Sequence, residues 1–298
     1  MKSLLTLGLI AAVAATAAPH LLAQESGDVT AVEAARKVNI SGRQRMLSQR
    51  MAKAACLMAR DISFATTYDQ LTQAYTLFQR SDSALRAGDE QMGLGAEGFP
   101  EIVNALGQID QPWSEYSGIV EKTVETGTVE QEDLATLDED SRDVLKYMNI
   151  AVFKIARAYA GAVEQVPLGL TITIDVAGRQ RMLTQKAIKE ACLMTVSADP
   201  SVHADRLNET IELFDLSLKA LRDGYEDVGV IAAPTREIDR KLQEVAGLWE
   251  PVKSILDRAA EGQVLSDRDL SKVARMSEPL LQTMNEAVGL YEGADRFL

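Results

Sequence analysis

The chain has 298 residues, of which 46% are hydrophobic and only 5% aromatic, and its formal net charge is −13. This length allows one large or two modest domains, and the scarcity of Gly, Pro and aromatic residues favours helices over sheets. An acidic chain without a long Lys/Arg run is poorly suited to bind nucleic acid or anionic lipid, so neither is predicted as a partner.

Residues 1–23 have the pattern of a secretory signal peptide. Lys2 provides a positive start, and the apolar stretch from Leu4 to Ala18 is too short to span a bilayer comfortably. Cleavage is predicted after Ala17 or Ala23, and an uncleaved anchor is the alternative. No second long hydrophobic run follows. We therefore expect an exported, soluble protein and predict the bacterial periplasm as its compartment.

Residues 30–163 are predicted to form a first unit of four helices, from their hydrophobic spacing and their start and stop signals. In chain order the helices are Ala31–Ala59 with Thr30 as N-cap, about Thr67–Ala87, one that begins near Pro100 and contains Trp113, and about Gln131–Ala160.

A second unit, residues 169–298, repeats the first at a constant offset of 136 residues after the short linker "QVPLGL". Twelve of 21 positions are identical between "VNISGRQRMLSQRMAKAACLM" (38–58) and "IDVAGRQRMLTQKAIKEACLM" (174–194). The β-branched stretch "LTITIDV" aligns with the first helix, so most of it is predicted to be helical. The fold class is therefore all-α, with two tandem antiparallel four-helix bundles related by an internal repeat.

The repeated hexapeptide "GRQRML" places polar and small residues on one face of the first helix of each unit. That face carries Gly42, Arg45, Gln49, Ala52 and Cys56 in the first unit, and Gly178, Arg181, Gln185, Ile188 and Cys192 in the second. A separate apolar stripe, including Leu47 and Met51, is predicted to pack inside its own bundle. The arginine face is then free to meet another helix.

Four antiparallel helices return the chain to its starting end, so the two first helices are predicted to lie parallel about an approximate two-fold axis. Arg45 and Arg181 would then face each other, and a small planar anion between them would offset their repulsion and burial. We expect one chain to hold both arginines as an internal pseudo-dimer, and a homodimer is the alternative. The simpler interpretation is that each arginine pairs with a nearby carboxylate or lies in water, as is predicted for Arg43 and Arg50.

The segments "ISGRQRMLSQRMAK" and "VAGRQRMLTQKAIK" resemble the opening helix of the PilJ-type sensor domain, found in type IV pilus methyl-accepting chemotaxis transducers. They are also similar to the corresponding segment of nitrate/nitrite sensor kinases of the NarX type, in which two subunits hold one nitrate between two arginines. The resemblance implies that Arg45 and Arg181 bind the anion, with Gly42 and Gly178 beside them. It departs from those kinases at Ile40 and Val176, where the kinases have lysine.

The sequence contains no arrangement typical of an enzyme. It has two histidines and two cysteines, and neither a Ser-His-Asp pattern nor a CxxC pair is present. We therefore predict no catalytic residue, metal or cofactor.

Cys56 lies 11 residues after Arg45, about 20° from the same helical face, and Cys192 bears the same relation to Arg181. In an oxidising compartment the two cysteines are candidates for a disulfide, and two buried free thiols are the alternative.

The leading functional hypothesis is a periplasmic sensory module for a small anion, with nitrate or nitrite as the first choice. It would bind the anion through Arg45, Arg181, Gly42, Gly178, Gln49 and Gln185. It would report to a separate membrane-bound sensor or transducer. The alternative is a structural or protein-interaction module with no small-molecule ligand.

Overall fold

The computed structural model describes residues 30–162 and 168–294 of the chain, so the predicted signal peptide, residues 1–23, lies outside the described residues. Within these ranges the chain is all-α and has no β-strand. The helices are α1 Ala31–Ala59, α2 Phe64–Ala87, α3 Pro100–Gly107, α4 Asp110–Thr126, α5 Gln131–Ala162, α6 Leu168–Leu193, α7 Pro200–Asp223, α8 Arg236–Ala260 and α9 Asp267–Glu292. None of these described helices is long and apolar enough to cross a membrane.

Local sequence signals explain most helix boundaries. The Thr30 side chain accepts a hydrogen bond from the Glu33 backbone N–H, which caps α1 as predicted. The helices α2 and α7 end at the equivalent glycines Gly88 and Gly224, both with a φ of 83°, a conformation that favours glycine. The stretch "LTITIDV" lies inside α6, so the prediction that it is helical is confirmed.

The third helix of the first unit differs from the prediction, because it is divided into α3 and α4. In the second unit the corresponding segment is the continuous α8. Pro112 lies in the first turn of α4, and its equivalent in α8 is Leu248. Proline lacks a backbone N–H and is favoured in the first turn of a helix, which suits a helix that restarts at Asp110. Proline does not by itself end a helix in this protein, because α8 and α9 continue through Pro251 and Pro279.

The hydrophobic interiors of the two units follow the repeat. Trp113 stacks on Phe78 with ring centroids 3.8 Å apart, and Trp249 stacks on Phe214 at 4.0 Å. Along α7, apolar residues that recur every three or four positions are all buried: Leu207, Ile211, Phe214, Leu218 and Leu221. The two bundles therefore share one packing pattern.

The helices α1 and α6 form the centre of the molecule. Each packs against two helices of its own unit, α1 on α2 and α5, α6 on α7 and α9, and the two pack closely on each other. They run parallel, because Asn39 of α1 meets Arg181 of α6 near one end and Cys56 meets Cys192 near the other. Since neighbours surround both helices, polar residues on them become buried, and it is these that form the site.

Candidate anion site

The two predicted arginines come together in the interface between α1 and α6, which is called the seam below. Arg45 is fully buried and Arg181 is 2% exposed. A Cβ atom built on Gly42 would lie 3.2 Å from Nη2 of Arg45 and 3.9 Å from Nη2 of Arg181. A Cβ on Gly178 would lie 3.0 Å from Nη2 of Arg181 and 3.9 Å from Nη2 of Arg45. The two glycines thus leave the room in which both guanidinium groups meet.

Most contacts of the two guanidinium groups are the same in both units. The Nε of Arg45 donates to the Gly42 carbonyl at 3.4 Å, and the Nε of Arg181 donates to the Gly178 carbonyl at 3.3 Å. Each Nη1 donates to an asparagine Oδ1 at 3.0 Å, that of Asn149 on α5 or its equivalent Asn285 on α9. Each unit therefore holds its arginine in the same orientation.

The two halves differ at one pair of equivalent positions, Asn39 and Asp175. The Nη2 of Arg45 donates to the Asp175 carboxylate at 2.5 Å, whereas Nη2 of Arg181 donates to the neutral Asn39 Oδ1 at 2.7 Å. The Asn39 amide in turn donates to Glu292. One arginine therefore has a direct counter-ion, and the other has only neutral acceptors.

A second pair of arginines repeats this difference. Arg179 donates to the other Asp175 oxygen at 2.8 Å, so that one carboxylate joins Arg45 and Arg179. Its equivalent, Arg43, donates only to the Ser81 hydroxyl, at 3.3 Å, among the described residues. The buried Nε atoms of Arg43 and Arg179 both have no partner there. Neither Arg181 nor Arg43 forms an ion pair within residues 30–162 and 168–294.

The pKa values follow this arrangement. Burial, together with the nearby charges of Arg43 and Arg45, lowers the pKa of Arg181 to about 9. Burial also lowers the pKa of Arg45, against which the Asp175 carboxylate acts. Burial by itself raises the pKa of Asp175, but Arg45 and Arg179 outweigh it and the pKa is lower than usual. The Arg181 half is thus the more electropositive one.

A cleft of about 470 Å³ leads to the Arg181 half of the seam. It lies between α1, α2 and α9, and Arg181, Arg43, Asn39 and Asn285 contribute to its wall. Arg50, Gln73 and apolar side chains such as Leu77 line the remainder. A solute can therefore approach the guanidinium group that lacks a counter-ion.

The prediction of two unpaired arginines is wrong for Arg45, because Asp175 supplies its counter-ion from the other unit. The prediction that Arg50 is ion-paired is confirmed, since its two Nη atoms donate to Glu278 at 2.9 and 2.8 Å. Arg43 was predicted to be either ion-paired or solvated; it contacts no carboxylate within the described residues, and its half-buried side chain lines the cleft.

The predicted glutamines occupy equivalent buried positions one turn beyond the arginines. Gln49 donates to the Ser141 carbonyl at 2.8 Å, whereas the Gln185 side-chain amide has no hydrogen-bond partner within the described ranges. Further along the same face, Cys56 and Cys192 form a disulfide with their Cα atoms 6.2 Å apart. It fixes α1 and α6 in register.

A buried cluster of possible metal ligands, Asp138, Glu190 and His203, lies between the two units. The ammonium group of Lys189 is 2.8 Å from Asp138 Oδ1 and 3.2 Å from Glu190 Oε1, and His203 Nδ1 is 2.7 Å from Glu190 Oε2. A cation is therefore already in place among these carboxylates, and the cluster acts as a contact between α5, α6 and α7.

Sequence reasoning missed the asparagines and Asp175 as partners of the arginines. Asn149 and Asn285 carried a signal, since each follows a methionine at the same position of the repeat. The Asn39/Asp175 pair carried another, because it is a charge difference within an otherwise conserved segment of the repeat.

Comparison with known proteins finds two matching segments. The family described as "Type IV pili methyl-accepting chemotaxis transducer N-term", PilJ, matches residues 30–139 and 168–274. The methyl-accepting chemotaxis protein McpN of Pseudomonas aeruginosa strain PAO1 is 35% identical over 119 residues, which are 40% of this chain and 21% of that protein. The chain thus spans about a fifth of the length of this curated relative.

Proposed function

The chain belongs to the PilJ family of type IV pilus methyl-accepting chemotaxis transducer N-terminal domains, of which it carries two copies, and from this we propose that it is a sensory module that binds a small oxyanion between α1 and α6. The observation that carries the proposal is a pair of buried guanidinium groups on equivalent helices of one chain, of which only Arg45 contacts a carboxylate within the described residues. Burying an arginine without a counter-ion is unfavourable, so an anion at this place stabilises the folded state.

Nitrate and nitrite are our first choices of ligand. Both are small, planar and singly charged, and their oxygens match the forked donors of a guanidinium group. The nitrate sensor kinases that the repeated motif resembles hold their ligand between two such arginines. Ile40 and Val176 replace the lysine of those kinases, so selectivity here would depend on other donors, and Asn149 and Asn285 are the nearest ones with free amide N–H groups.

We also place the module in the periplasm, where it acts with a membrane-bound transducer. The predicted signal peptide supports export, and the disulfide between Cys56 and Cys192 suits an oxidising compartment. The matched family is one of transducer domains, which supports a signalling partner. We assign no catalytic role to any residue.

A second candidate function is a protein-interaction module without a small ligand. The buried ion pair between Arg45 and Asp175 favours it, because that arginine is already satisfied by the protein itself. On this alternative the seam only joins the two units, and oxyanions would not affect folding.

The test is thermal unfolding of the exported protein in sodium nitrate, nitrite, formate, sulfate or chloride at one ionic strength. A ligand that binds only the native state adds RT ln(1 + [L]/Kd), about 2.7 kcal/mol at a hundredfold excess over Kd. We expect nitrate or nitrite to raise the unfolding midpoint above the chloride baseline, and Arg181→Ala to remove the rise. Equal midpoints in all five salts would support the interaction module instead.

A further inference from the structure

The Asp175 carboxylate shows what an anion does in this seam. It accepts from Arg45 at 2.5 Å and from Arg179 at 2.8 Å, with one oxygen for each guanidinium group. Asp175 lies on α6, as does Arg179 one turn later, while Arg45 lies on α1. A planar, singly charged group thus joins two arginines from the two central helices.

The equivalent place in the other half has the same cations but no carboxylate. Arg181 corresponds to Arg45, Arg43 corresponds to Arg179, and the residue between them is Asn39. Arg181 is 2% exposed, yet its side chain bonds only to neutral oxygens. Arg43 has a buried Nε without a partner among the described residues. Neither guanidinium group contacts a carboxylate within the described residues, and the negative charge that acts on both is that of Glu292, which accepts from the Asn39 amide.

This half is also the one that a solute can reach. Both arginines and Asn39 line the cleft of about 470 Å³ between α1, α2 and α9. About half of the cleft wall is apolar and includes Met46 and Leu281, so the remaining polar side chains replace only part of the water around a strongly hydrated ion. A singly charged oxyanion loses less hydration on entry than sulfate or hydrogen phosphate and still bridges two guanidinium groups.

We propose that each chain takes one singly charged planar oxyanion or small carboxylate, that it binds in the cleft between Arg181 and Arg43, and that Asp175 occupies the equivalent place beside Arg45. This inference rests on the proposed function and makes it asymmetric. Arg181, Arg43 and the Asn285 amide contact the anion, and Arg45 stays paired with Asp175. The internal carboxylate is the reason why a pseudo-symmetric seam has one ligand site.

The test is calorimetric titration of the full chain with sodium nitrate and sodium formate, in matched chloride buffer, on wild type and four single variants. Asn39→Asp places a tethered carboxylate between Arg181 and Arg43, so we expect at least a tenfold loss of affinity with an unchanged or higher unfolding midpoint. Asp175→Asn should still bind at least one anion per chain. Arg43→Ala should weaken binding at least tenfold, and its matched control, Arg179→Ala, should change affinity less than threefold.

Several outcomes would overturn this inference. If Asn39→Asp binds like wild type, or if Arg179→Ala weakens binding as much as Arg43→Ala, the anion does not occupy the Arg181 half, although the proposed anion-binding function stands. If neither nitrate nor formate binds the wild-type chain, the inference and the small-anion function fail together. Should Asn39→Asp not fold, the Arg43/Arg179 pair decides alone.

Discussion

The two halves of the seam have the same cations and different counter-ions. Arg45 and Arg181 keep the same glycine and asparagine contacts, but only Arg45 meets a carboxylate. The equivalent lysines Lys53 and Lys189 are both fully buried and differ in the same way. Lys189 donates to Asp138 at 2.8 Å and lies 3.2 Å from Glu190. Among residues 30–162 and 168–294, Lys53 has one ion-pair partner, Glu278, which is 3.5 Å away and also binds Arg50.

A sequence repeat can thus preserve the same hydrogen-bond donors in both units while the charges around them differ. The cations belong to the repeated helices, so they appear twice. The carboxylates belong to positions at which the repeats differ. The aligned pairs are Asn39 and Asp175, Arg142 and Glu278, Ala54 and Glu190, and Asp138 and Ala274. Within the described residues, the side of the seam next to α5 pairs Arg45 and Lys189 with Asp175, Asp138 and Glu190, whereas on the side next to α9 Arg181 and Arg43 contact no carboxylate.

The largest expected difference between the halves concerns the two lysines. Lys189→Met removes the cation that Asp138 and Glu190 share, while Arg206 still contacts Asp138 and His203 still contacts Glu190. We therefore expect a loss near the lower end of the range of about 3–5 kcal/mol for breaking a buried pair. Lys53→Met removes a poorly compensated charge while Glu278 keeps Arg50, so we expect a change within about 1 kcal/mol or a gain in stability. Urea unfolding of both variants at pH 7, followed by far-UV circular dichroism, measures the difference. Equal losses would contradict the asymmetry of the two environments.

The disulfide holds α1 and α6 in register. Removing it tests how much of the stability of the seam depends on this bond. A double Cys56→Ser/Cys192→Ser variant should lose about 2–4 kcal/mol of unfolding free energy, because the bond closes a long loop in the unfolded chain. Reductant should lower the wild-type urea midpoint to that of the variant. Thiol counting on the unfolded, unreduced protein should find no free thiol, and two thiols per chain would contradict the bridge.

The internal counter-ion can be removed directly. Asp175→Asn deprives Arg45 and Arg179 of their charged acceptor, and losing hydrogen bonds to a charged group costs about 1.5–3 kcal/mol. Added nitrate should restore part of this loss, more than it stabilises wild type, because a second uncompensated arginine then exists. Chemical unfolding with and without nitrate gives both values. A variant as stable as wild type in chloride would show that Asp175 does not stabilise this half.

Lys53, the less well paired of the two equivalent lysines, should make the unfolding free energy depend on pH. Burial, with Arg50 close by, lowers the pKa of Lys53 from 10.5 to about 7. Between these two values the unfolded chain binds the proton and the folded chain does not, so stability from this group rises with pH through that window and its penalty is complete below about pH 7. Relative to Lys53→Met, wild type should gain on the order of 1 kcal/mol per pH unit from pH 7 to 9. A pH-independent difference would mean that Lys53 stays protonated.

The smallest expected effect comes from the seam glycines. Gly178→Ala would bring a methyl group 3.0 Å from Nη2 of Arg181, and Gly42→Ala would bring one 3.2 Å from Nη2 of Arg45. Alanine in a helix is favoured over glycine by up to about 1 kcal/mol, so neither variant should unfold. We expect Gly178→Ala to weaken nitrate binding several-fold and Gly42→Ala to weaken it less, as titration calorimetry would record. The reverse order would place the anion nearer Arg45.

Much of the fold could be predicted from the sequence because helix periodicity and capping are local properties. The repeat, the all-α class, the Thr30 cap and the face that carries Arg45, Arg181 and both cysteines follow from spacing alone. The break between α3 and α4 was missed because a proline near a helix start resembles one that interrupts a helix until the neighbouring turns are known.

What only the tertiary structure decided is which charge meets which. Asp175 reaches Arg45 across 130 residues, and Glu278 reaches Arg50 across 228. Such pairs depend on the rotation and register of α1, α6 and α9 against one another, and periodicity fixes only the face of each helix, not its partner. The sequence by itself determined that two arginines share a seam. The packing of that seam determined that Arg45 is paired with a carboxylate of the other unit, and that Arg181 has neutral acceptors only among the described residues.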